Sequence, residues 1–157
     1  MRAFMPCLWL DRDVAGARDY YRSVFEGARV VDEMVAGAGA PFPAGTVIST
    51  VLEFGGGSLM LLHGARTKPT EALSLVVTCE EQGEIDRLWA RLSDGGEEQM
   101  CGWVKDRYAV SWQIVPGVLQ RLLRDDDRAR SGRAMHAMLQ MRKLDIAALT
   151  AAHRGET

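Results

Sequence analysis

The sequence predicts an α+β chain in which two βαβββ modules are followed by a helical tail. Three observations predict it: a pattern of one half that recurs in the other, a switch of apolar period from two to about 3.6 at matching places, and the end of strand-like runs after Pro116. The repeat is plainest at the helices. Ala17, Tyr20, Tyr21 and Val24 lie at helical spacing ahead of Gly27, and Ile85, Leu88, Trp89 and Leu92 take the same places ahead of Gly95.

In chain order, the apolar run 4–10 suits a buried strand, and Asp11, Arg12 and Asp13 supply a helix cap. Runs at 30–35, 46–54 and 58–62 read as strands after the first helix, with Gly55, Gly56 and Gly57 as a hairpin connection. Between the first two of these, residues 36–45 are too rich in Gly and Pro for regular structure and read as a long loop, with Phe42 as a lid residue over a cleft. In the second copy 73–78 is a strand, Glu80 and Glu81 open the helix, and 97–101, 104–108 and 111–115 are compressed strands. The modules span 4–63 and 72–116 and form one domain, 1–116. Residues 117–157 carry apolar groups at helical spacing and read as a tail of about three short helices, part of the same domain or a dimer interface.

With 157 residues, 47% of them apolar, the chain can close one substantial core. A net charge of −2 with acids and bases interleaved excludes a nucleic-acid footprint and favours a small, roughly neutral ligand or a protein partner. Cys7, Cys79 and Cys101 are widely spaced with no CxxC pair, which argues against a disulfide framework or a zinc knuckle and for a reducing cytoplasm. Pro6 and Asp11 interrupt any signal-type run, and no stretch approaches the ~20 apolar residues of a membrane span.

Several residues could carry chemistry. His63, at a strand end, is the best single catalytic candidate, as a general base, although no neighbouring carboxylate orients it and a solvated turn histidine is the simpler role. Cys101, with Lys105 close behind, could be a nucleophile or a packed thiol, and Trp103 a pocket wall or core. Alternation puts Trp112 with Ile114 on one face of the last strand and Ser111, Gln113 and Val115 on the other; Cys7 and Trp9 likewise oppose Pro6, Leu8 and Leu10. Asp125, Asp126 and Asp127 read as a helix cap rather than a cation site, and Glu97 and Glu98, adjacent on a strand, cannot share one acid–base task. Met135, Met138 and Met141 form a stripe suited to core or interface.

The set Gly95, Gly96, Glu97, Glu98, Cys101, Gly102, Trp103, Lys105, Asp106 and Ser111 to Pro116 resembles the signature of the PhnB-like proteins, also labelled demethylubiquinone 3-methyltransferase-like, in the vicinal oxygen chelate (glyoxalase and bleomycin-resistance) superfamily. Pro6 to Trp9 with Asp11, Tyr20 and Tyr21, Ser23 to Phe25, 74–79, 138–141 and 145–149 extend the resemblance over nearly the whole chain. It implies that each module curls into half a cup, and that the tail packs on the partner subunit of a homodimer. Superfamily enzymes hold a divalent metal with His, Glu or Gln from four strands, and that mapping reaches Pro6, Met60 or Leu61, Ala72 or Ser74, and Gln113. Only Gln113 could coordinate, so the resemblance implies a metal-free cleft lined by Leu8, Phe42, Leu61, Ser74, Cys101, Trp103 and Gln113, with Trp112 beneath the helices. His63 stands where the family usually has Asn, and Tyr108 and Ala109 where it has Phe and Gly.

The methyltransferase label implies S-adenosylmethionine, which most such enzymes bind on a glycine-rich turn between a strand and a helix; here Gly37 and Gly39 run into Pro41 and no helix is expected to follow. No cofactor is therefore expected, neither a divalent metal nor S-adenosylmethionine. Three function classes follow: a metal-free binder of a small apolar or aromatic molecule; an enzyme, either the labelled methyltransferase or a metal-dependent lyase, isomerase or dioxygenase; and a dimeric interaction protein with a vestigial cleft.

Overall fold

The computed structural model describes residues 4–11 and 13–156, so Arg12 of the expected helix cap lies outside the described residues. Two compact units divide the chain, Met1–Pro69 and Thr70–Thr157.

The first unit runs β1 (Cys7–Leu10), α1 (Val14–Val24), β2 (Arg29–Val35), β3 (Val47–Phe54) and β4 (Gly57–His63). Its sheet has the order β1-β4-β3-β2, with β1 parallel to β4 and the other pairs antiparallel. Asp13 caps α1 by accepting from the Gly16 N–H at 2.9 Å, and Val14, Ala17, Tyr20, Tyr21 and Val24 form its buried stripe. Gly55 and Gly56, both at positive φ, make the two-residue turn between β3 and β4, a conformation that glycine adopts without strain.

One ion pair identifies the sheet face beneath α1. Arg18 on the helix reaches Glu33 at 2.7 Å, and the register then runs Glu33 to Thr50, Thr50 to Leu61 and Leu61 to Leu8. Directly opposed residues share a face, so Leu8 and Leu61 lie under the helix, 5% and 0% exposed. β2 is an edge strand with all seven residues exposed, and its pairing with β3 is broken by two register shifts, between Val30 and Asp32 and between Met34 and Val35.

The second unit runs β5 (Ser74–Cys79), α2 (Gln82–Ser93), β6 (Glu97–Glu98), β7 (Trp103–Lys105) and β8 (Ser111–Pro116), then α3 (Leu119–Leu123), α4 (Arg128–Leu139) and α5 (Ile146–Arg154). The sheet order β5-β8-β7-β6, with β5 parallel to β8, repeats the plan of the first. Ile85, Leu88, Trp89 and Leu92 are the buried stripe of α2, and the Trp89 indole N–H donates to Glu98 at 2.8 Å. Trp112 lies on the helix side of β8, 1% exposed, and its Nε1 donates to the buried Asp106 carboxylate at 2.8 Å.

Two strands are shorter than the sequence suggests, for identifiable reasons. The expected strand 97–101 stops at Glu98 because Cys101 takes a φ of 60° and turns its N–H to the Met141 carbonyl at 2.7 Å. That expected at 104–108 stops at Lys105 because the Asp106 carboxylate accepts the N–H groups of Tyr108 and Val110 and folds the chain into a turn.

The tail packs around Leu119, Leu122, Ala134, Leu144 and Leu149, with Val115 of β8 against this cluster. Gly102 donates to the Arg142 carbonyl at 2.7 Å, and the Gln82 amide bridges the Leu144 carbonyl and the Ile146 N–H. Among the described residues, no helix is long and apolar enough to cross a membrane.

Candidate functional site

Each sheet has one face under α1 or α2 and one face free of that helix, and in the second sheet the tail packs at the Val115 end of the free face. Alternation from Leu8 and Leu61 puts Cys7, Trp9, Met60 and Leu62 on the helix-free face of the first sheet, with Cys7 opposite Met60 and Trp9 opposite Leu62. Cys7 and Trp9 are exposed there. The placement of Leu8 and Leu61 in a ligand cleft is therefore corrected: they are core, β1 is one residue out of phase with the sequence reading, and of Met60 or Leu61 it is Met60 that takes the other face of β4. Burial raises the Cys7 thiol above its ordinary pKa, and Cys79, fully buried, is pushed up to about 11 by burial and then by Glu84. Neither thiol has the electropositive surroundings of a nucleophile.

Phe42 and His63 come together at the end of β4, their rings edge to face with centroids 5.0 Å apart. Residues 36–45 thus fold back over the strand end, closed at their base by Ala36 N–H to Thr46 O at 2.8 Å and Gly45 N–H to Ala36 O at 2.9 Å. The Trp9 indole donates to the His63 carbonyl at 3.1 Å. His63 Nδ1 is buried without a hydrogen-bond partner among the described residues, so no carboxylate holds the ring as a base would need.

In the second unit Ser74, Trp103 and Gln113 share the helix-free face. Trp103 is directly opposite Gln113 in the β7–β8 register, and the Gln113 amide nitrogen donates to the Ser74 hydroxyl at 2.8 Å. That bond orients the amide and leaves its carbonyl oxygen available to a ligand. Cys101 stands apart from this row, in a turn that the tail holds by its backbone. Lys105, in the sequence a signature residue close behind Cys101, lies on the same face as Gln113, and Glu71 accepts from it at 2.8 Å. Gln99 donates to the same Glu71 oxygen at 2.9 Å. The Lys105 and Gln99 bonds hold the Glu71 carboxyl below its usual range, and Glu71 in turn raises the Lys105 ammonium. Strand parity, which places Ser111 with Gln113, could also have found Lys105; Glu71, outside any strand, carries no local signal.

The donor set does not fit a divalent metal. The helix-free faces offer a thiol, a thioether, hydroxyls and the Gln113 amide, and their carboxylates, Asp32 and Glu53 in the first sheet and Glu97 beside Lys105 in the second, do not gather into the set of ligands that a hard cation takes. Among the described residues no three His, Cys, Asp or Glu side chains come together as metal ligands. The surface groove at Gly27, Arg29, Glu53 and 54–58 contains none of the candidate residues.

A family model described as 3-demethylubiquinone-9 3-methyltransferase matches residues 2–115. No curated protein matches the chain. Among solved structures, the chain is similar to the PhnB protein from Bacillus cereus, with 27% identity, 74% of this chain and 100% of that one covered, and a TM-score of 0.67. It is similar in fold to protein PA1353 from Pseudomonas aeruginosa, with 21% identity, 74% and 98% coverage and a TM-score of 0.61. The fosfomycin resistance protein FosX from Listeria monocytogenes, solved with Mn(II) and sulfate, shares the fold at 13% identity, 76% and 94% coverage and a TM-score of 0.58.

Proposed function

The chain belongs to the 3-demethylubiquinone-9 3-methyltransferase family, the PhnB-like branch with the glyoxalase and bleomycin-resistance fold of the vicinal oxygen chelate superfamily, and from that premise we propose that it is a metal-free binder of a small aromatic molecule. The ligand lies on the helix-free face of the second sheet. The observation that carries this reading is the pairing of Trp103 with an oriented Gln113: a ring for stacking, beside an amide carbonyl that can accept one hydrogen bond. The donor set described above supports the absence of a metal.

Methyl transfer, which the family description suggests, is the second reading. Against it, β2 leads to β3 with no helix between, so the glycine-rich stretch offers no helix N-terminus to a nucleotide-like cofactor. The homodimer of the family resemblance belongs to the first reading, supported by exposed Met135 and Leu139, one turn apart on α4.

A thermal-shift screen with quinones, phenols, aromatic acids and S-adenosylmethionine tests the proposal. A ligand at a hundred times its dissociation constant should stabilise the fold by about 2.7 kcal/mol. Trp103→Ala should remove that gain. Stoichiometric Mn, Fe, Ni or Zn in the purified protein would overturn the metal-free reading, and a shift with S-adenosylmethionine that persists in Trp103→Ala would favour methyl transfer.

A further inference from the structure

Ser111 is an anomaly on the proposed binding face. It sits on β8, the second strand of the sheet, between Ser74 on one side and Lys105 on the other, and is 0% exposed. Its hydroxyl has no hydrogen-bond partner among the described residues. An unpaired buried hydroxyl destabilises the fold where alanine would not, which marks a group kept for a partner that comes from outside.

Beside Ser111 in the register is a bridge between charged side chains. Lys105 is directly opposite Ser111 on β7, and it donates at 2.8 Å to Glu71, which comes from the segment ahead of β5. Glu71 is more than half exposed, so the bond is of the weak kind that solvent and competing anions exchange readily. Gln99 donates to the same carboxylate oxygen, so one anionic group already collects a cation and an amide at this spot. Glu97, 3.9 Å from Lys105, adds a second negative charge nearby and disfavours a dianion there.

Taking that face as the ligand site, we propose that the Glu71 carboxylate is a built-in stand-in for the ligand's own, and that the ligand is a small aromatic monocarboxylate. On binding, the incoming carboxylate displaces Glu71 from Lys105 and Gln99 and accepts from the Ser111 hydroxyl. Its ring extends toward Trp103, one register step along, where Gln113 supplies an acceptor. The Glu71 side chain swings into solvent. A neutral aromatic uses Trp103 and Gln113 alone and leaves the bridge closed.

Calorimetry with 2-naphthoate and its neutral isostere 2-naphthamide tests this on the full chain. Glu71→Gln should bind naphthoate about fivefold tighter than the unchanged protein does, with naphthamide unchanged, because an exposed competing ion pair is removed. Lys105→Met should abolish the preference for naphthoate over naphthamide, and Ser111→Ala should weaken naphthoate selectively. Equal binding of both probes, unaltered by Glu71→Gln, would overturn the stand-in while leaving the aromatic site intact. If neither probe binds, or both bind Trp103→Ala as well as the unchanged protein, the site itself is overturned and the stand-in with it.

Discussion

Gly102 shows how much a single position can hold in place. Its φ is +82°, and a Cβ there would meet the Ile114 carbonyl at 2.7 Å and the Leu144 side chain at 3.0 Å. Its N–H donates to the tail and its carbonyl accepts from Ile114. A methyl group at this point strains the backbone and wedges β8 from the tail at once. Gly102→Ala should therefore lower stability by about 2–4 kcal/mol, read as a shift of the urea midpoint. From the sequence, Gly102 was only one member of a recognised signature, because both contacts it avoids come from distant parts of the chain. Ser111 and Gln113 were legible to a greater degree. They alternate with Trp112 and Ile114, so polar and apolar residues mark the two faces of β8.

At the level of elements, β1 and β4 show where such reading fails. Cys7 and Trp9 alternate with Leu8 and Leu10, and Met60 and Leu62 with Leu59 and Leu61, so both rows are apolar and the pattern has no polar marker. Only the Arg18–Glu33 contact and the register decide which row lies beneath α1. Helices are more legible because their buried stripes contrast with charged faces. In the tail, α5 is tied to the segment between α3 and α4 by His153 against Asp125 at 2.8 Å. The Asp127 N–H, and then His153, hold the Asp125 carboxyl below the usual carboxylate range. A depressed folded-state value means that this contribution is complete above the ordinary value of about 3.9 and is lost as pH falls through the lower one. Asp125→Asn should then speed amide exchange in α5 at neutral pH. The difference from the unchanged protein should vanish under acid conditions, and an equal difference at both extremes would contradict the assignment.

For the molecule as a whole, the repeat was legible because each module must cover one sheet face with one helix, and that requirement recurs in the apolar spacing of α1 and α2. The Glu71–Lys105 bridge was not, since 34 residues separate its partners and no local pattern links them. The tail, read as a run of short helices, packs onto the second unit through Val115 and the Cys101–Gly102 turn, and still leaves Met135 and Leu139 outward. If those residues meet a second copy, sedimentation at micromolar concentration should give twice the 17.3 kDa chain mass; Leu139→Lys should shift it toward the monomer, and a wild-type monomer would remove the dimer.

The edge strand β2 has a different bearing on how chains behave in a crowd. It exposes Val30, Val31, Met34 and Val35 along an open ladder, the kind of border on which fibrils grow. Ordered stacking of that sort needs six or seven residues in unbroken register. The two slips in β2 leave three, Asp32, Glu33 and Met34, and two of these carry negative charge. The irregularity of this border is thus a guard: a chain that arrives to extend the sheet finds too short a run, with the charge of Asp32 inside it.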